Sequence, residues 1–367
     1  MKKIPMILAM VLVLSLLAGC AGTPVVYNCT CPTGGETTPA ATQAPAASEA
    51  PAAPTAPAVE GAVKTGLHIA TSISGSAAAT AEAPGKAEYD VTMVAVTVDD
   101  NGVIQQCLLD GVKTAVNFDA AGVITTDVNA EILTKNELGE NYGMVAYGGA
   151  VAEWDQQAAA LAAFAVGKTV EELKSGAVSE SGYAPEGSDL ASSATIYLGG
   201  YVSAIEAAVN KAQHLGAQAG DELKLAAVSS VGKSTAATAE AAGNAQLDTT
   251  VTAVTVNDGT ITSCAIDSVQ AKVGFDAAGS LAGDVSAPVP SKNELGEAYG
   301  MKAWGGAVAE WDQQAASFAA YVTGKTVDQV LGIAVNEKTA PTEADLASSV
   351  TISIGEFQNL IAKAVNG

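Results

Sequence analysis

From Asp90 to Leu109 the chain reads DVTMVAVTVDDNGVIQQCLL, apolar and polar residues alternating on both sides of an Asp-Asn-Gly turn. Period-two alternation around such a turn predicts a β-hairpin with one face buried. A second stretch of the same kind shortens the turn to Asn-Asp-Gly at Asn257–Gly259, which is still hairpin chemistry. The period then changes. In EWDQQAAALAAFAVGK, Trp154, Ala158 and Leu161 recur at helical intervals and Gly167 ends the run. In YVSAIEAAVNKA, Val202, Ile205, Ala208 and Val209 fall on one helical face. An irregular, glycine-punctuated stretch containing KNELGE separates the hairpin from the first helix. Strands, loop, helix and closing helix predict an α+β unit, a hairpin-based antiparallel sheet with packed helices.

The unit occurs twice. KNELGENYGM at Lys135–Met144 returns as KNELGEAYGM at Lys292–Met301, and EWDQQAAALAAF at Glu153–Phe164 returns as EWDQQAASFAAY at Glu310–Tyr321, both at an offset of 157. SDLASSATIY at Ser188–Tyr197 is matched by DLASSVTI at Asp345–Ile352 at an offset of 156. So long a period means duplicated domains and excludes a solenoid of short units. The repeats are placed at 63–212 and 221–367, joined by the small-residue link HLGAQAG, and each is long enough to be expected to fold alone.

The first 62 residues are different in kind. MKKIPMILAMVLVLSLLAGC has two lysines before an apolar run ending in small residues, a secretory leader over 1–19 that is too short for a durable membrane span. Leu17-Ala18-Gly19-Cys20 resembles a bacterial lipobox, which implies cleavage before Cys20 and a diacylglycerol on its sulfur. An incidental cysteine after an ordinary leader is the alternative. Residues 20–62, rich in Ala, Pro and Thr, cannot bury a core and read as a tether. The stretch Ala21–Ala62 would reach about 130 Å if polyproline-like and average roughly 36 Å as a coil. Cys29 and Cys31 on the tether could be a metal or redox pair, a second lipid site or an accident of sequence. Cys107 and Cys264, at matching places in apolar strands, read as small buried hydrophobes.

Charge narrows the partners. Acids outnumber bases 39 to 17 and there is no arginine, for a formal charge of −22. Such a surface repels nucleic acid. Any phosphate must be held without the guanidinium fork, by backbone N–H groups, hydroxyls, lysine or a covalent bond. Two isolated histidines, His68 and His214, form no metal cluster or catalytic triad. VGKST at Val231–Thr235 ends like a phosphate loop but lacks its first glycine and shows no preceding strand pattern. DDNG is too short for a calcium shell, and Glu137, Glu140, Glu294 and Glu297 read as solvated loop charges. Nothing here reads as a hydrolase or as a stand-alone enzyme.

In order, the chain has a hairpin, Asn136-Glu137-Leu138-Gly139, Trp154, Gly167-Lys168, and Asp189-Leu190-Ala191-Ser192-Ser193-Ala194-Thr195 before a last helix. The second copy repeats this with Leu295-Gly296, Trp311, Gly324-Lys325 and Asp345 through Thr351. The series resembles the FMN-binding domain of flavin-carrying subunits in membrane sodium- and proton-pumping reductases, found also in surface flavoproteins of Gram-positive bacteria. The resemblance covers nearly all of each repeat. The family's loop is Glu-Thr-Pro-Gly-Leu-Gly and its closing motif Asp-x-x-Ser-Gly-Ala-Thr. Here the loop lacks the proline and first glycine, Ser193 and Ser349 replace glycine, and Val350 replaces alanine. In the family the last threonine takes FMN as a phosphoester from a dedicated transferase, so these departures bear on whether attachment occurs.

The resemblance implies FMN, covalent or reversible, at Thr195 and Thr351, with Asp189, Ser192, Ser193, Asp345, Ser348 and Ser349 around them and Leu138-Gly139 and Leu295-Gly296 in the loops. Read from the residues alone, these hydroxyls and free N–H groups at a helix entrance either cradle a phosphate or simply cap the turn. Trp154 and Trp311 read as packing anchors, while Tyr142 and Tyr299 remain open to either packing or ring stacking. The expected function is a lipid-anchored carrier on the extracytoplasmic face of the cell membrane, passing electrons from a membrane flavin or quinone reductase. The alternative is a non-catalytic binding module that kept the fold and lost the flavin.

Overall fold

The computed structural model describes residues 61–367; Cys20, Cys29, Cys31, the leader and nearly all of the tether lie outside the described residues. The first repeat runs β1 (Lys64–Ser72), β2 (Gly85–Val98), β3 (Ile104–Phe118), α1 (Lys135–Leu138), a 3-10 turn, α2 (Met144–Gly148), α3 (Trp154–Ala165), α4 (Val170–Ala177), α5 (Asp189–Ser193) and α6 (Gly199–Lys211). The second runs β4 (Glu222–Ser230), β5 (Gly243–Asn257), β6 (Thr260–Phe275), β7 (Leu281–Ala282), α7 (Lys292–Leu295), α8 (Met301–Gly305), α9 (Trp311–Val322), α10 (Val327–Leu331), α11 (Ala344–Ala347) and α12 (Gly355–Asn366). The α+β expectation holds, with antiparallel sheets β1-β2-β3 and β4-β5-β6-β7.

Both anticipated hairpins form. In β2–β3 the Asp99 carboxylate accepts from Asn101 N and Val103 N, each at 2.9 Å, so the aspartate closes the turn. In β5–β6, Asp258 and Gly259 sit at φ 46° and 74°, the positive values a two-residue hairpin turn needs. Strands β1 and β4 went unseen in the sequence pattern. Because β4 runs directly into Val231, a strand does precede the VGKST segment. No helix opens there, however, and Ser234 bonds the backbone around Gln246.

Alternation in the strands sorts the side chains into three cores. Along β2, Ala87, Tyr89, Val91, Met93 and Ala95 face one way and Val94, Val96 and Val98 the other. The second set packs with Trp154, Leu161, Leu173, Leu198 and Ile205 on the helices of the same repeat. The equivalent helix core of repeat two holds Trp311, Phe318, Phe357 and Ile361. The first set belongs to a core built from both sheets, including Val251, Val269, Val273 and Phe275. The layers are therefore helix, sheet, sheet, helix.

The two sheets share that central core, in addition to the helix core that each repeat has of its own. The joints are reciprocal. Phe118 and Phe275, the same position in the two repeats, stack with centroids 4.1 Å apart and planes 5° apart. Ala79 N donates to Gly279 O at 2.8 Å, and its counterpart Ala237 N donates to Gly122 O at 2.9 Å. Lys211 pairs with Glu294 at 2.7 Å and Lys363 with Glu137 at 2.5 Å, each last helix holding the loop of the other repeat. Glu137 and Glu294 also complete capping boxes with Thr134 and Ser291. They are structural clasps, correcting the reading of them as solvated loop charges. Strand edges meet through side chains: Gln106 accepts from Leu223 N at 2.9 Å and donates to Asp221 O at 2.7 Å.

Candidate functional site

The Asp-Leu-Ala-Ser-Ser segment does not stand at the entrance of the closing helix. It is itself a short helix, α5, capped by Ser188, whose side chain accepts from Ala191 N. Ser192 and Ser193 donate back to Asp189 O at 2.7 Å and Leu190 O at 3.3 Å, and Ser348 and Ser349 do the same to Asp345 O and Leu346 O. The serines therefore act on the turn's own backbone. Asp189 and Asp345 are exposed, with Leu190 and Leu346 the buried pins.

Thr195 lies in the extended link between α5 and α6, and it is exposed. A residue that the sequence reading passed over positions it. Gln157, on α3 and fully buried, accepts from Thr195 N at 2.8 Å, Ile196 N at 3.1 Å and the Thr195 hydroxyl at 3.3 Å. Its amide nitrogen donates to Ala152 O at 2.8 Å, which fixes which end of the side chain faces the link. Gln314 repeats the arrangement on Thr351 N, Ile352 N and the Thr351 hydroxyl. The backbone donors thought free to cradle a phosphate are thus already engaged. The threonine hydroxyls are engaged as well, each donating its proton to the same glutamine oxygen, which leaves only their lone pairs open. The identical Gln in both EWDQQ segments, a polar residue on the inner helical face, was the signal for this.

The residues that follow Thr195 in the chain line a cavity of about 560 Å³, although Thr195 itself is not part of the lining. Ile196, Tyr197, Gly200 and Tyr201 form one wall, β1 and its following turn from Ala70 to Gly75 another, and Glu88, Asp90 and Thr92 on the outward face of β2 the floor. The Tyr201 hydroxyl accepts from Trp154 Nε1 at 2.9 Å, and burial raises the Tyr201 pKa. Lys135, almost fully buried, lies 4.8 Å from the Trp154 ring centre and 5.7 Å from that of Tyr142, and reaches Asp90 at 3.4 Å. Lys113 bridges Glu88 at 3.5 Å and Asp90 at 3.8 Å. Hydrogen bonding from Lys86 holds the Glu88 carboxyl below its ordinary range. The two floor carboxylates are thus ion-paired to lysines. A wider hollow of about 630 Å³ lies at the seam between repeats and touches neither threonine motif.

Tyr142 is half-buried against the helix core with Lys135 near its ring, and it is not part of the cavity lining. Trp154 is buried, as expected of a packing anchor. Leu138 and Gly139 lie at the end of α1 and are not part of the lining; Gly139 has the positive φ of 47° that closes that helix. Leu295 and Gly296 repeat this role, and Tyr299 faces Lys292 at 5.2 Å. Below the same loops, burial pushes Asp110 up to about 6 although it accepts from Gly111 N and Asn136 N; Asp267 is raised for the same reason. Cys107 and Cys264 are buried and their thiols pushed up to about 12, so neither offers a thiolate.

The second repeat changes the cavity's lining. Ser353, Glu356 and Phe357 stand where the first has Tyr197, Gly200 and Tyr201. Val350, at the position of Ala194, is fully buried in the helix core. No protein-family model, curated protein or solved structure matches the chain. Among the described residues, no helix is long and apolar enough to cross a membrane.

Proposed function

We propose that this chain is a surface lipoprotein whose first repeat carries a flavin mononucleotide on Thr195 and passes electrons at the extracytoplasmic face. The observation that supports it most is an exposed Thr195, bonded to Gln157 and followed in the chain by Ile196 and Tyr197, which line a tyrosine-bearing cavity. The fit is specific about mode. With both nearby N–H groups bonded to Gln157 and no arginine in the chain, reversible phosphate binding is poorly served, while an ester to Thr195 asks nothing of those groups. Tyr197 and Tyr201 would flank a planar ring, and Trp154 fixes Tyr201. When bound, the flavin would supply the redox chemistry, and these residues would orient it. In repeat two, Glu356 and Ser353 in place of glycine and tyrosine fit the ring poorly, so Thr351 is the weaker acceptor.

The membrane is engaged through the lipid on Cys20, the donor is a membrane flavin or quinone reductase, and a flavin transferase installs the group. A second reading, a binding module without flavin, is favoured by the serines and glutamines that satisfy the turn internally. Protein purified from a host with the transferase should be yellow and bleach reversibly with dithionite. A colourless protein that takes up no added FMN supports the binding module instead.

A further inference from the structure

Tyr147 is 93% exposed and Trp304 is 91% exposed. They hold the same place in the two repeats, on α2 and α8, in a chain whose aromatic content is 5%. Neither lies on a frayed loop. In repeat one the buried Glu153 carboxylate accepts from Met144 N at 2.7 Å and Val145 N at 3.0 Å. Glu310 clamps Met301 N and Lys302 N at the same distances. Each ring rests against a glycine in the left-handed region: a Cβ on Gly143 would lie 2.6 Å from Tyr147, and one on Gly300 would lie 2.4 Å from Trp304. Gly148-Gly149 and Gly305-Gly306 follow, with open space where side chains would stand. Between repeats the neighbour changes from Val145 to Lys302, but the ring stays aromatic.

We infer that these two tips are stacking platforms for an uncharged polysaccharide, independently of whether flavin is carried. An aromatic ring with no walls around it suits the C–H face of a sugar, whose hydroxyls stay in water and need no buried partners. A single such contact is weak, so presenting it twice is useful against a ligand that repeats along a polymer. The excess of 39 acids over 17 bases repels polyanionic polymers and anionic lipid surfaces and leaves a neutral glycan unopposed.

Trp154 and Trp311 are buried, so any change of tryptophan emission on ligand contact reports Trp304. Full-length protein should shift its emission to shorter wavelength with chitohexaose or cellohexaose, and migrate slowly through gels containing glycol chitin or hydroxyethylcellulose. Trp304→Phe should keep the retardation. Trp304→Ala or Tyr147→Ala should weaken it about tenfold, one ring's stacking, and the double variant should abolish it with an unchanged melting temperature. Unaltered emission with both oligosaccharides, or a double variant retarded like the wild type, overturns the inference. So does an emission shift produced only by phosphatidylcholine vesicles, which would make the tips membrane contacts.

Discussion

Replacing Gln157 by leucine tests how Thr195 is held. The side chain is fully buried and near the volume of leucine, so little packing is lost. What disappears is one oxygen accepting from Thr195 N, Ile196 N and the Thr195 hydroxyl, together with the donor to Ala152 O. A buried N–H left without a partner costs about 1–3 kcal/mol. Thr195 is exposed and its N–H regains water in part, whereas Ile196 is half-buried. The sum is about 2–4 kcal/mol. Urea unfolding should show that loss as a lowered midpoint at unchanged slope, and amide exchange at Thr195 and Ile196 should accelerate. Gln314→Leu should behave alike. A loss below about 0.5 kcal/mol, within the range of surface substitutions, would show that the link holds its shape without the glutamine.

Phe118→Ala should cost about 3–5 kcal/mol, and calorimetry should show one transition for both repeats moving together; two transitions, or a cooperatively folding isolated 61–219 fragment, would contradict the shared core. Asp110 has a folded pKa of about 6 against 3.8 for the free group, so the folded state binds the proton more tightly. Stability should therefore fall as pH rises from about 4 to 6, by up to about 3 kcal/mol, and urea midpoints of Asp110→Asn should lose that slope. Gly200→Glu, which copies repeat two into the cavity wall, should leave the melting temperature level or slightly raised, since glycine is a poor helix former, yet lower flavin occupancy as read by absorbance.

Where a single period dominates, the chain announces its own structure. Val94 and Val96 against Met93 and Ala95 read as a two-faced strand, and Val202, Ile205 and Ala208 as a helical stripe, because burial on one face selects them directly. Strand β1 was hidden: KTGLHIATS has few aliphatics and takes its place by pairing with β2 and abutting β6. The shared core was hidden for a related reason. Duplication shows in the repeated segments, but whether an apolar face meets its own helices or the other copy is decided by shape. Phe118 and Phe275 look like any buried phenylalanines until they stack on each other.

The candidate site was half legible. The threonines, the serines and Tyr142 stood out by motif or by register, while the bond from Gln157 to Thr195 and the cavity lined by Tyr197, Gly200 and Tyr201 arise only through the packing of α3 and α6. Glu137 and Glu294 looked like loop charges because their lysine partners lie in the opposite repeat, 226 and 83 residues away along the chain.

The flavin on Thr195 is tested most directly by peptide mass spectrometry of the protein made in a host that carries the transferase. The peptide containing Thr195 should bear FMN minus water, and Thr195→Ala should remove that adduct. The peptide containing Thr351 should carry it less often or not at all, and Ser193→Gly, restoring the family's turn, should raise occupancy at Thr195. An unmodified Thr195 peptide, from protein that also binds no FMN reversibly, would contradict the electron-carrier account and leave the link from α5 to α6 as a packed turn alone.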